Sequence, residues 1–158
     1  MPKVPAPITL RAASLTLTGS LATVVGTVAT DNANATSGAI RLGSMVAMRL
    51  ACNYARAGGS TTGRPRFSVD LSMDSPDTAP ASVSNWFPVM LLDNSSFTAG
   101  AIDGFAMAVS QGPSVTGTSV SSTPPIDVRG AQWARVRVLD VDGVAPGTIA
   151  ALVMGGET

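Results

Sequence analysis

The chain has 158 residues, ten basic and ten acidic side chains that cancel to a net charge of zero, and only 13% charged residues, against a usual quarter or so. That length suits one domain burying about two thirds of its unfolded surface, and the absence of a basic tract excludes nucleic acid as an expected partner. Histidine is absent and Cys52 is the single cysteine, which excludes Ser-His and Cys-His pairs, His-ligated metals, thiolate cages and internal disulfides.

Residues Met1 to Pro7 carry three prolines and read as an extended arm, because proline fixes φ and biases its predecessor to extended geometry. They lack the compact apolar segment of a secretory signal. Ile8 to Arg11 begins a first strand. Ser14 to Thr18 alternates, with Leu15 and Leu17 on one face. Leu21 to Thr30 is rich in β-branched residues and reads as a strand bent near Gly26. Asp31 to Gly38 is a loop by composition.

Ser44 to Cys52 has Val46, Met48 and Leu50 inward and Arg49 outward. Its helix-forming residues make a helix the competing reading, and the alternation favours a strand. Asn53 to Pro65 is a long loop, and Cys52, in an apolar run, reads as a buried small hydrophobe. Arg66 to Met73 is a clear strand, with Phe67, Val69, Leu71 and Met73 inward and Ser68, Asp70 and Ser72 outward. Trp86 to Leu92 contains Pro88, which predicts an edge strand or a bulge. Phe105 to Ser110 is a short strand, and Val115 to Val120 a weak one in a low-complexity stretch.

The final segment, Gly130 to Val153, reads as a hairpin. Trp133 to Leu139 places Ala134, Val136 and Val138 on one side of the pleat and Arg135 and Arg137 on the other, a face expected in water or against a partner. Asp140 to Gly147 is the turn, and Thr148 to Val153 returns with Ile149, Ala151 and Val153 on one face. Short strands separated by turn signals predict an all-β, single-domain sandwich or barrel. No run of eighteen apolar residues suggests a membrane span.

The second half resembles a β-sandwich pattern of tailed-bacteriophage virion proteins. The residues that carry the likeness are Leu71-Ser72-Met73-Asp74, Trp86-Phe87-Pro88-Val89, Ala134-Arg135-Val136-Arg137-Val138 and Gly147-Thr148-Ile149-Ala150-Ala151-Leu152-Val153. The match covers roughly half the chain, and its motifs mostly encode pleat alternation and turns. The resemblance implies a jelly-roll-like sandwich, residues 8–158, behind the arm of residues 1–7. It also implies a capsid decoration (cement) protein that is non-enzymatic, needs no cofactor or metal and resides in a virion assembled in the host cytoplasm. The implied partners are itself, preferably as a trimer, and the major capsid protein or other virion subunits. The proline-bearing arm is expected to lie across a neighbour, with Pro2, Val4, Pro5 and Pro7 as contacts. Arg56, Arg64 and Arg66 are a small basic group that either pairs with a neighbouring subunit or is solvated. A carbohydrate- or receptor-binding module of a tail or fibre is the rival reading, and an RNA-packaging coat protein is weakened by the lack of a basic arm.

Other motifs have ordinary explanations. Asp140-Val141-Asp142-Gly143 faintly resembles a calcium loop, but the twelfth position from Asp140 is Ala151 rather than Glu, so a turn is the better reading. Asp70, Asp74 and Asp77 offer carboxylates of the kind glycosidases use, yet turn chemistry accounts for the last two. The Gly58 to Arg64 stretch lacks the ending of a phosphate loop. Asn34-Ala35-Thr36 and Asn94-Ser95-Ser96 fit a glycosylation triplet, which arises often by chance. Trp86 and Trp133 are expected to close the two ends of the core rather than to form a sugar platform.

Overall fold

Alternating apolar side chains in short strands build the molecule. The structure is a computed structural model that describes residues 7–55, 57–58, 63, 65–93, 108–110, 118–122, 125–140 and 144–158. In chain order the strands are β1 (Ile8–Arg11), β2 (Leu15–Thr16), β3 (Ala22–Thr23), β4 (Ile40–Arg41), β5 (Ala47–Ala55), β6 (Pro65–Ser72), β7 (Phe87–Asp93), β8 (Ala108–Ser110), β9 (Thr118–Ser122), β10 (Ile126–Asp127), β11 (Trp133–Asp140) and β12 (Thr148–Glu157). One sheet runs β1-β12-β5-β9-β8, with β2 on β12 and β10 on β5. The other runs β3-β11-β6-β7, with β4 on β11. Every pairing is antiparallel.

The protein is an all-β sandwich. Leu10, Met48, Leu50, Ile149, Leu152 and Met154 of the first sheet share one buried cluster with Phe67, Val69, Leu71, Ala134, Val136 and Val138 of the second. Residues on one side of each pleat meet across the gap, as the alternation requires. Ser44 to Cys52 contributes to strand β5 rather than to a helix, and Met48 and Leu50 are buried as expected. Pro88 lies in β7, at the end of its sheet, beside a register shift that leaves Val89 as an extra residue opposite β6. The bulge is present, and among the described residues β7 is an edge strand, as suits a proline that cannot donate to a central ladder.

The last two strands do not form a hairpin. β11 pairs with β6, β3 and β4 in one sheet, while β12 pairs with β5, β1 and β2 in the other. The reason lies at the end of β11, where Asp140 faces inward and is buried. Its Oδ2 accepts the Tyr54 hydroxyl of β5 at 2.7 Å and the Gly147 amide at 2.6 Å. The carboxylate thus ties the start of β12 to the opposite sheet. A Cβ at Gly147 would collide with the Ala55 carbonyl and the Tyr54 ring, so only glycine permits this approach.

Other departures have local causes. β12 carries an irregularity between Ile149 and Leu152, so Leu152 and Met154 point inward and Val153 is only half-buried. Val46 precedes β5 and is exposed, and Met73 follows β6 and is 68% exposed. Of Leu21 to Thr30, only Ala22–Thr23 is paired as a strand. Farther on, the Thr27 and Val28 amides donate to the Asp31 carboxylate at 2.8 and 3.3 Å instead of to a ladder. Pro7 is exposed and immediately precedes β1, while Pro2, Val4 and Pro5 lie outside the described residues.

Candidate functional site

The outer face of the second sheet gathers the chain's polar chemistry. The alternation that buries Val136 sends Trp133, Arg135 and Arg137 of β11 outward, and on β6 it sends Arg66, Ser68, Asp70 and Ser72 outward. The register sets Arg135 opposite Asp70, Arg137 opposite Ser68 and Trp133 opposite Ser72. Arg135 Nε lies 2.8 Å from Asp70 Oδ2, and Arg137 Nη2 lies 2.8 Å from Asp70 Oδ1 and 3.2 Å from Ser68 Oγ. Ser68 donates to Asp70 Oδ1 at 3.2 Å. Desolvation pushes the Asp70 carboxyl up, but hydrogen bonds and charge from Arg137 and Arg135 prevail and hold it below the ordinary range. Arg135 also covers the Trp86 ring at 4.7 Å.

The two arginines therefore are not simply solvated or awaiting a partner. They fold onto their own sheet over Ser68 and Asp70, which, with Ser72 opposite Trp133, are buried although they point outward. Both tryptophans lie on this same side. Trp133 is buried in a small cluster with Ala39 and Val83, against which Trp86 packs. They form a separate outer cluster, and neither belongs to the main core.

Beyond Trp133 this face opens into a cleft of about 860 Å³. Residues 26–35 form one wall and residues 76–80 the other, with Arg41 and Trp133 between them. Register places Arg41 of β4 opposite Trp133, and its guanidinium lies over the indole at 5.9 Å. The indole N–H donates to the Ser75 carbonyl at 3.1 Å, which fixes the root of the second wall. Ser37 Oγ donates to the Pro80 carbonyl at 2.6 Å and joins the walls. Within the first wall, Asn34 Oδ1 accepts the Thr36 and Ser37 amides, each at 2.9 Å. Asp31 accepts the Ala12 and Thr27 amides at 2.9 and 2.8 Å. Desolvation opposes the charged form of Asp31, yet the amides of Thr27, Ala12 and Val28 lower its carboxyl below the ordinary value.

The sequence-predicted residues distribute unevenly around this site. Arg66 sits on the outer face, opposite Asp93 of β7 and Leu139 of β11, while Arg56 and Arg64 lie outside the described residues. The three aspartates do not assemble into one constellation. Asp70 is ion-paired, Asp74 accepts the Ser84 amide at 2.9 Å and the Asn85 amide at 3.2 Å, and Asp77 lines the cleft. Asp140 is an inter-sheet tie, and Asp142 and Gly143 lie outside the described residues. Among the described residues, no three His, Cys, Asp or Glu side chains gather as a metal site. Cys52 is buried, and desolvation raises its thiol to about 12, which keeps it in the unreactive protonated form. Sequence reasoning missed Arg41, because nothing local to it reveals that β4 will pair beside Trp133. The one legible signal in the walls was the Asx and Ser/Thr content of residues 31–38. No family model, curated protein or solved structure matches the chain.

Proposed function

We propose that the chain is a non-enzymatic structural subunit of a bacteriophage virion, a decoration protein that binds the shell and bridges its subunits. The observation that carries this reading is the β7 end of the second sheet as the described residues form it. There β7 is the terminal strand among the described residues, and Phe87 and Val89 on it are exposed together with the nearby Met73. An unpaired strand with apolar side chains is a ready template for another chain. Few charges and no net charge offer little repulsion between copies.

The strand pairing supports a jelly roll. Among the eight principal strands, first pairs with last (β1 with β12), second with seventh (β3 with β11), third with sixth (β5 with β9) and fourth with fifth (β6 with β7). A long antiparallel ribbon rolled across two sheets produces this order. The carboxylates that the sequence offered for catalysis are occupied in holding the fold at Asp70 and Asp74, which also favours adhesion over chemistry. Attachment stabilises by mass action, since a subunit that binds only the assembled shell shifts the equilibrium against disassembly. The arm at Met1 to Pro7 supplies a second grip in this reading.

The test is equilibrium binding of the purified protein to shells assembled without it. Wild type binds. Phe87→Lys, at an exposed position, binds at least about tenfold more weakly with an unchanged melting curve, because a rim lysine meets desolvation in the contact. Truncation of residues 1–7 weakens binding without lowering the melting temperature. No binding by wild-type protein that melts cooperatively overturns the reading. A saccharide- or receptor-binding module is the second reading, and the cleft beside Arg41 is what favours it.

A further inference from the structure

We propose that the cleft between residues 26–35 and 76–80 binds a carboxylated sugar, with Arg41 recognising the acid and Asp77 accepting hydroxyl groups. This site is independent of the shell contact at β7.

Arg41 stands apart from the other described arginines. Arg11 donates to backbone carbonyls, Arg49 and Arg129 face Glu157 and Asp127, Arg135 and Arg137 share Asp70, and Arg66 is engaged as well. Arg41 has the indole of Trp133 beneath it and, among the described residues, no hydrogen-bond acceptor or carboxylate partner. Cation–π contact with a buried ring restrains the guanidinium without using its N–H groups. A planar donor fork held this way, exposed to a cleft, matches a carboxylate in two-point geometry.

The rest of the cleft selects against a bare anion. Asp77 lines the wall formed by residues 76–80, and its carboxylate does not pair with Arg41. It is an acceptor for neutral hydroxyl donors and repels a ligand that is anionic throughout. Thr78 and Asn32 add polar groups to the same walls. A ligand with its acid at one end and hydroxyls at the other satisfies both residues, and a hexuronic acid is the simplest such molecule. The volume of about 860 Å³ lies in the range of small-molecule sites. The walls are already tied by Trp133 to Ser75, Ser37 to Pro80 and Asp31 to the backbone, so little ordering cost accompanies binding.

Calorimetric titration of the full chain with glucuronate, glucose and acetate tests the proposal. Glucuronate binds, and glucose and acetate bind at least about tenfold more weakly, the loss expected for one missing charged or multipoint contact. Arg41→Gln removes the preference for glucuronate over glucose. Asp77→Asn weakens glucuronate and glucose alike. No heat at millimolar glucuronate, an equal affinity for acetate, or unchanged binding by Arg41→Gln overturns the assignment. If Arg41→Gln lowers the melting temperature, amide chemical shifts of the wild-type chain decide. Glucuronate-induced shifts at residues 26–35, 41 and 76–80 uphold the site, and shifts elsewhere overturn it.

Discussion

Two buried carboxylates determine how this sandwich is tied together. Asp70 has a side chain only 1% exposed, between two guanidiniums about a quarter exposed. Asp70→Asn leaves those cations without their counter-charge. It is expected to cost about 2–4 kcal/mol in urea denaturation, toward the low end for a broken buried pair because both arginines keep some water. Tyr54→Phe deletes the donor to Asp140 and is expected to cost about 1–3 kcal/mol, the range for removing one partner of a buried polar group. The pH dependence follows from depressed carboxyls. Asp70 and Asp31 are both lowered in the folded chain, so the unfolded chain takes up protons first as pH falls. Their stabilisation is fully present above the ordinary carboxylate range near pH 4 and is lost as pH drops through their folded values. Urea midpoints across acid pH should therefore decline for wild type and decline less steeply for Asp70→Asn.

At the scale of the elements, period-two alternation was legible wherever a strand runs without interruption. Phe67, Val69 and Leu71 of β6 and Ala134, Val136 and Val138 of β11 are buried as their spacing required. Alternation carries no information about which strand lies alongside. The turn residues between Asp140 and Gly147 suggested a hairpin, but an inward Asp140 and a glycine pressed against Tyr54 send β12 to the other sheet. Val153 failed for a different reason: one irregularity reverses the face of every residue beyond it. The cleft was illegible because its walls come from segments 26–35 and 76–80, joined by contacts such as Ser37 to Pro80. One substitution probes that wall. A Cβ at Gly26 would strike the Ala33 carbonyl and come within 3.0 Å of Asp31 Cβ. Gly26→Ala should therefore displace the Asp31 turn, with amide shifts concentrated at residues 26–34 and the core strands unchanged. In the core, Leu50→Ala, at a site with no exposure, should cost about 2–5 kcal/mol.

Across the whole molecule, the second sheet has two different ends among the described residues. At one end β3 and β4 flank β11 and lead to the Arg41 cleft. At the other, β7 presents Phe87 and Val89 beside its bulge. The proposed division of labour follows from that asymmetry: adhesion at the apolar edge and ligand recognition at the polar cleft. A charge-poor chain with an apolar edge is proposed to self-associate into a closed homo-oligomer, and sedimentation of the isolated protein is expected to give the trimer that the resemblance implies. The most direct measurement is a cryo-electron microscopy map of purified virions carrying the chain. The account predicts sandwich density on the shell with Phe87 and Val89 buried against a neighbouring subunit. Particles that lack the chain, or that hold it with the β7 edge facing solvent, would contradict it.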